Sequence, residues 1–392
     1  MSNNRWLNKN IFAMGITSFL SDLSHETATA LLPTLIIAIG APASALGIIE
    51  GCANASISIM KLISGWQSDY SGKRKPAIAI GYLLAALGVG SFALCSQWIH
   101  IFSARVIAWL GKGLREPSRD ALLVDSVSSP KYYGRVFGFH KTMDTLGGIC
   151  GPALAALFIP YISLASMFTL TLIPGILAFL TIIIFVKEIP QVSQKKIIFF
   201  QSIKQLPKSF FLFLSAALTF GMGNFAISML ILQAIKLQKT TSPQTTIISL
   251  SIFCYVLYNI TYAIFSYPMG CLGDIINKKI IVFWGYITLA LTYLGFTLHP
   301  SSITTIASLF ILAGFSKALV SGGERAIAAE ILPINLRGTG YGLLSLTQGI
   351  GDLASSVAVG LLWTYFSTTI GFIYAATWCI IGGVILLALR NK

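Results

Sequence analysis

Three short groups of ionisable side chains recur at helical spacing. Asp22, His25 and Glu26 are three and four residues apart, so a helix sets them on one face. Lys112, Arg115 and Arg119 form a basic counterpart, with Glu116 and Asp120 one step round. His140, Lys141 and Asp144 make a third group, and Lys317, Glu324, Arg325 and Asp352 follow later in the chain. Carboxylates and an imidazole beside cations can bind and release protons and hold a charged solute. Asp22, His25 and Glu26 are the best candidates for a protonation change. The same three residues have ligand types that suit a divalent cation. No second ligand cluster accompanies them and nearby cations oppose binding, so no metal site is expected. Gly111-Lys112-Gly113 lacks the G-x4-G-K-[ST] spacing of a phosphate loop, which argues against ATP coupling by this chain. No nucleophile–base set for an enzyme is evident.

The elements that must position these groups are long and apolar. The 392 residues are 55% hydrophobic and 10% charged, where a soluble domain carries about 25% charged residues. That excludes disorder and a soluble enzyme and leaves a polytopic helical membrane protein. A bilayer core needs roughly 20 helical residues. Twelve such runs occur: 11–38, 44–67, 76–96, 98–125, 134–158, 163–186, 209–236, 245–272, 279–298, 302–330, 338–363 and 367–389. Each charge at mid-bilayer costs about 2.5–3.5 kcal/mol, so the groups above must pair or face a wet cavity. The six cysteines lie in or beside apolar runs without paired spacing and read as small buried hydrophobes.

The net charge of +14 would suit nucleic acid, but its location points to membrane topology instead. With the N-terminus inside, 17 of the 27 Lys and Arg fall in cytoplasmic segments and only Lys236 and Lys239 in the opposite loops. Both termini are therefore expected in the cytoplasm. The basic segment 187–208 divides the chain into an N-terminal six-helix bundle, 1–186, and a C-terminal one, 209–392, and reads as a cytoplasmic linker. The halves repeat. Gly65-x3-Asp69-x2-Gly72-Lys73-Arg74 recurs as Gly270-x3-Asp274-x2-Asn277-Lys278-Lys279, an offset of 205 residues, and Asp125 matches Glu330 at the same offset. Parallel repeats of six spans are one plan for transporters.

The G-x3-D-x2-G-[KR]-[KR] signature, its second copy and the twelve spans resemble the major facilitator superfamily over the whole chain. Gly147-x3-Gly151-Pro152 in span five resembles the antiporter motif of the drug/proton exporters in that superfamily, and Arg105 stands where those exporters keep a membrane-embedded Arg. The resemblance implies an all-α membrane protein of twelve transmembrane helices in two pseudo-symmetric six-helix bundles, with spans one, four and five lining the N-terminal half of a central cavity. It also implies that Asp69 latches the bundles together, with Gly65, Gly72, Arg74, Asp125, Asp274 and Glu330 in the same device. On physical grounds Gly65 permits close helix approach and Gly72 a tight turn.

From these residues, Asp22, His25, Glu26, Lys112, Arg115, His140, Lys141, Asp144, Lys317 and Asp352 are the expected substrate and proton-coupling set. Glu116, Arg119, Asp120, Glu324 and Arg325 read as a structural charge network. Asn224, Tyr255, Tyr258 and Asn259 could line the cavity, although helix packing uses the same residue types. The expected function is secondary active transport of a small polar or charged organic solute by alternating access, as proton-coupled efflux. The alternatives are proton-coupled import of an anionic metabolite or metal chelate, and, in another class, a non-transporting receptor or membrane-embedded enzyme. The expected partners are a small-molecule substrate, protons and membrane lipids, with no nucleic acid and no cofactor. The working unit expected is a monomer in the cytoplasmic (inner) membrane of a bacterium.

Overall fold

The structure, a computed structural model, describes residues 6–71, 73–127, 129–189, 203–238, 243–333 and 336–388. Gly72 and the side chains of Asp69 and Asp274 lie outside the described residues. The described chain is helical and has no strand: α1 Lys9–Ala38, α2 Ala43–Ser71, α3 Lys75–Gly90, α4 Trp98–Asp125, α5 Tyr133–Phe158 and α6 Leu164–Phe185, then α7 Lys208–Gly221, α8 Ile227–Leu237, α9 Gln244–Ile275, α10 Lys278–Thr297, α11 Ile303–Ile331, α12 Arg337–Tyr365 and α13 Thr368–Leu387. Seven of these helices are long and apolar enough to cross a membrane. Among the others are α1, α4, α5 and α12, which carry interior charges; α11 is among the seven although it holds Lys317 and Glu324.

Two compact units form, residues 1–32 with 56–196, and 33–55 with 197–392. The first unit is built on close approach of small residues, the device membrane helices use where no hydrophobic drive separates protein from lipid. A Cβ at Gly111 of α4 would stand 2.6 Å from Gly81 O of α3, and one at Gly113 would stand 2.7 Å from Ile57 O of α2. Gly65 does not serve this purpose: its Cβ would meet only Pro117 Cβ, at an ordinary 3.8 Å. The close approach expected there is carried by Gly111 and Gly113 instead.

In the second unit the outer turns of α2 pack on α12, with the Ser44 N–H donating to Thr364 Oγ1 (2.9 Å). An aromatic core joins Phe225 to Tyr293 (centroids 4.7 Å) and Phe296 to Phe372 (5.2 Å). The predicted seventh span is two helices. It breaks at Met222–Ala226, where the sequence reads Gly221-Met222-Gly223-Asn224. Gly221 lies against Gly351 of α12 and Gly223 against Cys379 of α13, too close for any side chain. The opened turn frees backbone donors, and the Ala226 N–H takes Ser356 Oγ (3.1 Å). Large apolar residues such as Ile173, Ile184, Phe185 and Val384 remain exposed, as a lipid-facing surface requires.

Candidate functional site

In the first unit α1, α4 and α5 bring their ionisable groups together. His25 is buried, and its Nδ1 lies 2.8 Å from the Ser21 carbonyl one turn earlier. Its Nε2 lies 3.0 Å from Lys112 Nζ of α4. An ammonium only donates, so Nε2 accepts and Nδ1 carries the proton that Ser21 O receives. This assigns the neutral Nδ1–H tautomer. Asp22 Oδ1 lies 3.4 Å from Nδ1 and Glu26 Oε1 3.3 Å from Nε2, so a second ring proton would find an acid on either side. Trp109 of α4 closes the ring edge-on at 5.9 Å.

Asp144 of α5 accepts from Ser18 Oγ (3.1 Å) and from Lys141 Nζ (2.6 Å), and its carboxyl lies close enough to that of Asp22 for the two to interact electrostatically. Two ionised carboxylates side by side repel, and a proton shared between them would relieve the contact. The glycines of span five explain the contact. A Cβ at Gly147 would stand 3.0 Å from Asp22 Cβ and collide with Phe19 O, and one at Gly151 would stand 2.6 Å from Leu23 O. With no side chains there, α5 lies directly on α1 at the level of Asp22.

The other bases of this region have separate work. Arg115 is buried, donates to Ser21 Oγ (2.6 Å) and lies over the Tyr82 ring (4.1 Å). Arg105 is fully buried over Trp109 (3.5 Å) and donates to Thr29 Oγ1 (3.1 Å). His140 is buried and its Nε2 has no hydrogen-bond partner among the described residues. Glu116 pairs with Lys61 of α2 at 2.6 Å, a partner the sequence spacing did not supply, and Asp120 pairs with Arg119 at 2.8 Å.

The second unit places Asn224, freed by the α7–α8 break, 3.2 Å from Asp352 Oδ1. Tyr255 and Tyr258 stack at 5.7 Å and, like Asn259, are buried. Lys317 is exposed midway along α11, with its amino group 5.1 Å from the Tyr258 ring and 4.8 Å from that of Tyr262. Glu324 is bound to Tyr286 of α10 and Gln348 of α12. Neither partner was identified from sequence, because a lone Tyr and Gln in apolar helices carry no spacing signal.

At the helix ends the repeat is visible as chemistry. Arg74 forms an ion pair with Asp125, and Lys278 with Glu330 at 2.6 Å. Glu188, at the root of the linker, accepts from the Arg74 N–H (3.1 Å) and the Lys75 N–H (2.8 Å), so a carboxylate caps the start of α3.

A sequence profile described as Major Facilitator Superfamily matches residues 14–254 and 210–392. The chain belongs to the major facilitator superfamily. It is a multi-pass membrane transporter and not an enzyme. An uncharacterized MFS-type transporter of Methanocaldococcus jannaschii is 35% identical over 387 residues, 98% of this chain and 96% of the relative. The quinolone resistance protein NorA of Staphylococcus aureus is 27% identical over 182 residues, 46% of each chain. Among solved structures, a POT family transporter in complex with 5-aminolevulinic acid superposes with a TM-score of 0.81 at 14% identity, covering 96% of this chain and 95% of that one. This last likeness concerns the fold. The transporter's family thus rests on the whole chain.

Proposed function

We propose that the transporter exports a small polar or charged organic solute across the cytoplasmic membrane by alternating access, driven by the proton gradient. The carrying observation is the carboxyl pair of Asp22 and Asp144, beside His25 and Lys112. A shared proton lets the two acids stay side by side. Once it leaves, two like charges repel across the α1–α5 contact, while Lys112, Lys141 and His25 stand ready to compensate. Proton occupancy is thereby tied to the packing of two helices, which is the link a coupled carrier needs. The partial likeness to a quinolone resistance protein agrees with export.

The test is reconstitution into liposomes loaded with a pH-sensitive dye. A pH gradient is imposed and quinolones, amino acids and organic acids are screened for solute-dependent proton flux. Asp22→Asn and Asp144→Asn should each abolish that flux while the protein still inserts. Solute-driven proton flux unchanged in both variants would remove the pair from the relay. Import of an anionic metabolite or metal chelate has one observation in its favour, the exposed Lys317 flanked by Tyr258 and Tyr262. In that case flux runs with the proton and Lys317→Gln loses it.

A further inference from the structure

Glu324 differs from the base-paired acids of the first unit. There Glu116 meets Lys61, Asp120 meets Arg119, Asp125 meets Arg74 and Asp144 meets Lys141. Glu324 is 3% exposed, and among the described residues no Lys, Arg or His lies within ion-pair distance of it. Its Oε1 takes the Tyr286 hydroxyl and its Oε2 the Gln348 amide, both neutral groups.

The surroundings add little charge. Arg325 follows in the chain but is exposed on another face of α11. From α12 comes Asp352, one turn beyond Gln348 and held by Asn224. From α7 comes Phe220, stacked on Tyr286 at 3.7 Å, and from α13 comes Cys379 near the same ring. The charged residue of α9 is Asp274, whose side chain lies outside the described residues. Lys317, on α11 itself, is two turns away.

Two physical points follow. An unpaired carboxylate sealed among helices is costly, because nothing repays its lost hydration. The partners also fit either charge state. Tyr286 and Gln348 can each donate or accept, so an ionised Glu324 receives two hydrogen bonds and a protonated one donates after a rotation of the hydroxyl or amide. A Lys or Arg in their place would only donate and would hold the acid ionised.

The internal repeat shows what was exchanged. At the 205-residue offset Glu324 corresponds to Arg119. At an offset of 204, Tyr286 corresponds to Tyr82 and Gln348 to Asp144. In the first unit Tyr82 lies in the field of Arg119, which in turn lies in that of Asp144. The same framework position thus carries a fixed cation beside an acid in one half and an acid among neutral, reversible partners in the other.

We infer that Glu324 is a second proton-binding site, which takes up and releases a proton with Tyr286 and Gln348 turning to serve both charge states. The inference rests on the proton-coupled reading for its purpose but not on Asp22 and Asp144 for its chemistry. Infrared difference spectroscopy of the full chain in liposomes, stepped in pH, tests it without any solute. The expected result is a protonated-carboxyl component, distinct from any that Asp22→Asn removes, that grows as pH falls, is lost in Glu324→Gln and is displaced in Tyr286→Phe, which keeps the acid. Identical difference spectra for the wild type and Glu324→Gln would overturn the inference. So would a band that Tyr286→Phe leaves unmoved, a variant that serves if Glu324→Gln fails to fold. A band that behaves as expected in liposomes showing no solute-driven proton flux supports the site and removes the coupled-transport reading, so the two failures are distinguishable.

Discussion

The α1–α5 contact can be loosened by one methyl group. In Gly147→Ala the new Cβ collides with Phe19 O and falls 3.0 Å from both Asp22 Cβ and Leu23 N. Carbon contacts settle at about 3.5–4.0 Å, so α5 must retreat from α1 by about 0.5–1 Å. The obstacles are backbone and Cβ atoms of a helix, which cannot swing aside as a side-chain tip can. Overpacking of this kind costs about 1–3 kcal/mol. The retreat also separates Asp22 from Asp144 and so weakens the coupling between the two acids. If that energy is charged to the proton-linked step, coupled flux falls about 5- to 150-fold. Gly148→Ala is the control. Its Cβ, on the next residue of the same helix, meets only Glu26 Cγ at 3.9 Å, and no change in stability is expected. Thermal unfolding in detergent and dye-reported proton flux in liposomes read the two effects. The reasoning is refuted if Gly147→Ala unfolds and pumps like wild type, or if Gly148→Ala is equally damaged.

Three further outcomes follow from ion pairs and caps. Lys61→Met leaves Glu116 half-buried without its base and should destabilise the chain by about 1–3 kcal/mol; Lys61→Met with Glu116→Gln should recover most of it, by thermal unfolding. Arg74→Gln should cost about 3 kcal/mol by stranding Asp125, and Asp125→Asn in the same chain should restore stability, a double-mutant cycle whose coupling near zero would contradict the pairing. Glu188→Ala removes the carboxylate cap of α3 and should cost about 1 kcal/mol, seen as faster amide exchange at Arg74 and Lys75; unchanged exchange would mean the cap does not form.

The spans were legible because bilayer thickness sets helix length, and apolar runs report it directly. The fourth span, 98–125, coincides with α4, and most others agree within two residues. The seventh was drawn as one helix because hydropathy is blind to Gly221 and Gly223, whose meaning lies in how closely α12 and α13 approach. The third continues past Gly90 as a short 3-10 segment, Ser91–Leu94, a tightening that composition does not encode. At the site, the Asp22–His25–Glu26 face follows from helical periodicity alone. That Asp22 touches Asp144 does not, since it depends on the register of α1 against α5. The signal was nevertheless in the sequence, as Gly147 and Gly151 spaced to clear α1. Lys112 of α4 meets His25, whereas Arg115 turns to Ser21 and Tyr82. Spacing gives a face; only packing says which neighbour it meets.

The repeat also shows how one scaffold comes to hold two chemistries. Positions at the helix ends keep their charge pattern, with Asp125 and Glu330 each engaging a base at the start of the preceding helix. Lys112 and Lys317 stand at the same 205-residue offset, one against an imidazole and the other between two tyrosines. Arg119 and Asp120 reappear as Glu324 and Arg325 with signs exchanged, and the buried member becomes the acid. Helix-end charges set topology and local turn geometry, so both halves need them alike. Interior charges are costly wherever they sit, and each half keeps only those its own packing can compensate. Outside the Asp22–Asp144 pair, compensation in the first half is by bases, which fix charge. In the second it is by tyrosine, glutamine and asparagine, which leave protonation free to change. Replacing Gln348 with Lys should therefore convert Glu324 to the first-half type, with no titrating carboxyl band and greater thermal stability at neutral pH. A Gln348→Lys protein that still shows the band would mean that donor chemistry does not decide the charge state of Glu324.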